Sequence, residues 1–163
     1  MKKFSPTGTG AKGPIRKGLR GGSFLLPQVR DGIQALETEP RNQIEANFRT
    51  EFSESLDMDE AFRPGHESEN RWDYLLGHSP TGNLIAVEPH SAKEEEIGVI
   101  IKKKRSCLDQ LRPHLKEGVN VRDWIWLASG RVHFLSMDRA RLRLDKSGIT
   151  FVGGTLRRKD LSA

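Results

Sequence analysis

The sequence predicts an α/β protein with a mixed central sheet flanked by helices. Three observations carry that expectation. Short β-type runs alternate with helical periodicities along the chain. One run, residues 83–88, is apolar on both faces, as in a strand covered on each side. The order of elements, helix, strand, strand, long helix, strand, strand, short helix and strand, suits a mixed sheet with helices packed on it.

Residues 1–22 hold six basic residues and no acid, with many glycines and few apolar side chains. Such a segment buries too little surface to offset its ordering entropy, so it is expected to form a flexible basic arm. Residues 23–163 are then expected to form a single α/β domain. From residue 41 to 52, Ile44, Phe48 and Phe52 recur every fourth position, which predicts a helix near Pro40. Residues 53–70 are polar, acidic and broken by Pro64-Gly65, and are expected to form a loop.

Residues 71–76 and 83–88 are strand candidates, joined by the turn-rich Gly77-His78-Ser79-Pro80-Thr81-Gly82 as a hairpin. Ser91 and Glu94 have capping-box spacing. Ile97, Ile100, Ile101, Leu108, Leu111 and Leu115 follow at helical intervals. Residues 124–128 and 132–135 read as strands on either side of Gly130. Residues 139–144 alternate like a strand, yet Asp138 and Gly148 could bound a short helix, which is preferred. Residues 149–152 form the last expected strand.

Composition narrows the function classes. The chain has 163 residues, a net charge of +5 and one cysteine, Cys107. An internal disulfide and a cysteine-based zinc site are thereby excluded. No apolar run approaches the roughly 18–20 residues that span a bilayer. The start lacks the apolar core of a secretory signal, so no membrane association and a cytoplasmic location are expected. No Gly-x-x-x-x-Gly-Lys-Ser/Thr loop or Gly-x-Ser-x-Gly elbow is present. Cys107 falls mid-helix near the apolar face and reads as a small hydrophobe. His66, His78, His114 and His133 are scattered and read as surface residues.

Charge is unevenly placed. Residues 30–70 carry four basic residues against eleven acidic ones, or −7, between ends that are each +6. Basic ends suit nucleic acid, DNA or RNA, and the alternation equally suits a protein partner or self-association.

Chemistry concentrates at the hairpin. Asp73 lies among apolar neighbours, where an acid is costly unless paired or bound to a metal; a salt bridge to Arg71 is the simplest resolution. Glu88 ends the second strand and His90 follows two residues later on the same side. Carboxylates from neighbouring strands could hold a Mg²⁺ that activates water and stabilises charge on a phosphodiester. His90 could serve as a base, a ligand or a hydrogen-bonded structural residue.

Asp73, the hairpin, Glu88-Pro89-His90 and the long helix resemble the PD-(D/E)xK nuclease superfamily over about residues 41–152. The resemblance implies a restriction-endonuclease-like core, Mg²⁺ or Mn²⁺ held by Asp73 and Glu88, and Glu45 or Glu51 as a third acid. The chain departs from the pattern in two ways: His90 occupies the usual lysine position, and no Pro-Asp pair precedes Asp73. Some members supply the lysine from the following helix. Lys93 and Lys104 fall on the apolar stripe there, with Lys93 nearer Glu88, whereas Lys102 and Lys103 are expected on a solvated face. Residues 87–92 and 126–130 also resemble a group of bacterial proteins. The expected function is a Mg²⁺-dependent nuclease-like domain with Asp73, Glu88, His90 and Lys93 at its site. The alternative is a catalytically degenerate domain that binds nucleic acid or a protein.

Overall fold

A computed structural model describes residues 12–134 and 137–162. The elements are α1 (Pro14–Gly18), β1 (Arg30–Asp31), α2 (Thr38–Asn42), β2 (Phe52–Asp57), α3 (Met58–Phe62), β3 (Tyr74–His78), β4 (Asn83–Lys93), α4 (Glu96–Leu111), β5 (Val121–His133), α5 (Met137–Lys146) and β6 (Ile149–Val152). The six strands form one sheet in chain order. Pairs from β1 to β4 are antiparallel, and β4, β5 and β6 run parallel. The helices α4 and α5 connect the parallel strands, as such pairs require.

Alternation within the strands builds two apolar layers. Leu84 and Ala86 of β4, with Trp124 and Trp126 of β5, face the layer formed with α1, α3, α4 and α5. Ile85, Val87, Ile125 and Leu127 face the other side, against Ile44, Phe48 and Leu156. Both faces are therefore covered, which explains the doubly apolar run in β4. Among the described residues, no helix is long and apolar enough to cross a membrane.

Several expectations need correction. The flexible arm does not include residues 12–22: Ile15 and Leu19 are buried in the core. The Glu54 carboxylate accepts hydrogen bonds from the backbone N–H groups of Gly13, Ile15 and Arg16, at 2.8, 2.7 and 3.2 Å, and pairs with the Arg16 side chain. A buried acid on β2 thus anchors a segment whose apolar content is small. Residues 1–11 lie outside the described residues.

The helix expected over 41–52 is a 3-10 turn, Ala46–Glu51, running into β2. Ile44, Phe48 and Phe52 are buried, as their spacing requires, without α-helical geometry. Residues 52–57, expected largely as loop, form β2 because Glu54 has α1 as its partner and Ser55 Oγ accepts from Ala35 N–H. Ser91 does not cap a helix: parallel pairing with β5 carries β4 on to Lys93. Gly130 does not separate two strands. Its positive φ of 77° instead accommodates a bulge, where register passes from Ser91↔Ser129 to Ala92↔Val132. Leu135, placed at the end of the second of those strands, lies outside the described residues. The helical alternative for residues 139–144 is the one adopted.

Candidate functional site

Antiparallel pairing of β3 with β4 matches Tyr74 to Val87, so Asp73 and Glu88 sit side by side at the end of that ladder. The Asp73 N–H donates to Glu88 Oε1 at 2.8 Å, and the Asp73 carbonyl accepts from the Met58 and Asp59 amides. Asp73 is thus fixed through its backbone while its carboxyl group makes none of these bonds. Arg71 pairs with Asp59 at 2.9 Å rather than with Asp73. Burial, followed by the charge of Glu88, pushes the Asp73 carboxyl up to about 7.

The Glu88 side chain has no exposed surface. A carboxylate in that position needs a cation, and Lys103 supplies it, with Nζ 2.5 Å from Oε2. This corrects the solvated face assigned to Lys103. The buried residues of α4 are Ile97, Ile100, Cys107, Gln110 and Leu111, and position 103 falls between Ile100 and Cys107 on that stripe. Lys102 is exposed, as expected.

Lys93 is also corrected. It is exposed at the end of β4, beside His133, and precedes α4 rather than lying on it. Lys104 donates to the Ser147 carbonyl at 2.6 Å and lies over the Trp124 ring, so it ties α4 to the turn after α5. Burial lowers its pKa.

His90 is held from both sides. Its Nδ1 is 3.5 Å from Glu88 Oε2, and its Nε2 is 2.7 Å from Glu96 Oε1. Hydrogen bonding to Glu88, opposed by burial and reinforced by Glu96, raises the imidazole pKa. The Trp126 indole N–H donates to the His90 carbonyl at 3.1 Å, which fixes the strand there.

Glu45 and Glu51 do not join this group. Glu51 bonds His78 and Arg158, and Glu45 pairs with Arg157. His78 ends β3, roughly 16 Å from Asp73 at the usual strand rise. The surface role assigned to His78 is also corrected: it is buried between Glu51 and Thr81. Cys107 is buried as expected, and burial pushes its thiol pKa up.

Glu96 and Lys103 escaped the sequence reading of the site. Lys103 had a signal in its helical spacing with Ile100 and Cys107. Glu96 had none, because its contact with His90 depends on where β4 ends.

Two adjacent carboxylates are hard oxygen donors, the type that binds Mg²⁺ with water completing the shell. The raised pKa of Asp73 comes first from burial and only second from the charge of Glu88, with Lys103 acting in the opposite direction. Among the described residues there is no group of three or more His, Cys, Asp or Glu side chains that could hold a metal ion. No protein-family model, curated protein or solved structure matches the chain.

Proposed function

We propose that this chain is a Mg²⁺-dependent nuclease-like domain that hydrolyses phosphodiester bonds of DNA or RNA on a restriction-endonuclease-like core. The supporting observation is the grouping of Asp73 and Glu88 at one end of the β3–β4 ladder, with Lys103 reaching Glu88 from the next helix. Asp73 and Glu88 would hold Mg²⁺ or Mn²⁺, which supplies charge stabilisation and an acidified water at neutral pH.

The chain's own side chains have separable tasks. Lys103 offsets the buried charge of Glu88 and presents ammonium N–H donors suited to a phosphate oxygen. His90, its pKa raised by Glu88 and Glu96, is the proton donor or phosphate contact. Lys103 takes the position in the reading that Lys93 held. The accompanying proposals are a nucleic-acid partner and a cytoplasmic setting.

A second reading is a non-hydrolysing domain that binds nucleic acid or a protein. It is favoured by the engagement of both Glu88 oxygens, one by the Asp73 amide and one by Lys103. Cleavage of single- and double-stranded DNA and RNA, with Mg²⁺, Mn²⁺ or EDTA, separates the two. Metal-dependent cutting supports the nuclease. Folded protein that cuts none of the panel supports the binding domain.

A further inference from the structure

Arg141 comes from α5, and Arg157 and Lys159 come from the turn that follows β6; the fold brings the two stretches together beside that edge strand. There they line a groove of about 480 Å³, with Phe151 and the Gly153–Gly154 pair contributing its floor and rim. All three basic residues are exposed. Among the described residues, no hydrogen bond or ion pair engages the side chain of Arg141 or Lys159. Asp160 is the acid in the lining, and its carboxylate accepts the Arg157 backbone N–H at 2.8 Å; three cations against one acid leave the lining net positive. The Arg157 side chain is 3.6 Å from Glu45 at the surface, a weak and screened pair. A Cβ at Gly153 or Gly154 would meet nothing within 4 Å, so a ligand can approach the backbone closely.

The groove is placed near the acidic pair by sheet register. Glu88 pairs with Trp126, and Trp126 with Phe151. Two strand spacings, roughly 10 Å, separate the backbones of Glu88 and Phe151.

We propose that the groove lined by Arg141, Arg157 and Lys159 binds the phosphodiester backbone of a nucleic acid. The proposal rests on the nucleic-acid reading above. Arg141 and Lys159, with no acidic partner among the described residues, and Arg157, with only its surface pair to Glu45, suit phosphate oxygens. The groove presents no exposed large apolar side chain of the type that anchors a protein interface. Phosphate contacts of this type set position and orientation without selecting a base sequence.

The test measures fluorescence anisotropy of labelled single- and double-stranded DNA and RNA against the full chain in EDTA, over a range of salt. Arg141→Glu/Lys159→Glu is compared with Lys17→Glu/Lys116→Glu, an equal charge change at two exposed residues lining other grooves. Arg141→Gln/Lys159→Gln repeats the test without reversing charge, and circular dichroism checks each fold. The groove variants should bind about tenfold or more weakly, with the slope of log K against log salt reduced by about two. The control should change far less. Equal losses in groove and control variants would overturn the proposal, as would unchanged binding or preferential binding of polyglutamate. Because no cleavage occurs in EDTA, the groove stands or falls on anisotropy, and the nuclease reading on cutting.

Discussion

The Lys103 ammonium lies 2.5 Å from a Glu88 carboxylate that has no exposed surface. The two side chains come from consecutive elements, β4 and α4, and their pairing draws the middle of the helix onto the strand end that carries His90. Neither residue is replaceable alone without stranding the other in a mostly dry environment.

Lys103→Met should therefore destabilise the protein by up to about 3–5 kcal/mol, because buried Glu88 loses its nearest cation and keeps only the Asp73 N–H and the His90 imidazole at 3.5 Å. Glu88→Gln should also cost stability, by stranding Lys103. The double variant should be more stable than either single one. Urea unfolding of the four proteins measures the coupling, and additive losses would contradict a direct pair.

Asp73 predicts a pH dependence with a definite sign. Its folded pKa is about 7, against an ordinary value of 3.8. The fold favours the neutral acid, so this contribution to stability is full below about pH 4 and is lost as pH rises through 7. Asp73→Asn should remove that dependence and stabilise the protein at pH 8, on the order of 2 kcal/mol after allowance for partial solvent screening. Mg²⁺ at pH 8 should raise the wild-type Tm and leave the variant unmoved. Thermal unfolding from pH 4 to 8, with and without Mg²⁺, provides the check.

His90 should titrate above the ordinary imidazole value, because Glu88 and Glu96 favour its charged form. Its raised pKa adds stability below the unfolded value, and that contribution disappears as pH rises through the folded one. NMR titration should show the shift upward in wild type and reduced in Glu96→Gln. An unaltered His90 titration in Glu96→Gln would remove Glu96 from the account.

The segment around α1 should behave as part of the core. Ile15→Ala should cost about 2–5 kcal/mol, and Glu54→Ala should release residues 12–20 to faster hydrogen exchange. Deletion through residue 22 should lower the Tm, contrary to the sequence expectation of a flexible arm. Chemical denaturation and exchange mass spectrometry test both.

These cases show what the sequence could and could not reveal. The hairpin, the doubly apolar strand and the helix after it were legible because each carries a local period or turn signal, whereas the parallel pairing of that strand with β5 was not. The order of Asp73 and Glu88 on neighbouring segments was legible for the same reason. Strand β2 was hidden because Glu54 and Ser55 look like loop residues until their distant partners are known. Lys103 was hidden by an apolar stripe drawn through Ile101 and Leu108; Leu108 is in fact 39% exposed. Ser91-x-x-Glu94 is a local capping signal outweighed by a long-range ladder with β5. The misses share one cause: nonlocal partners decided the outcome.

The most direct test of the central claim is the Mg²⁺-dependent cleavage rate of Asp73→Asn relative to wild type, measured at pH 8 with both proteins shown to be folded. The variant keeps its backbone donor to Glu88 and loses only the carboxylate charge, so its fold should persist while cleavage falls at least about 100-fold. Wild-type cleavage that Asp73→Asn matches would contradict the assignment of this site.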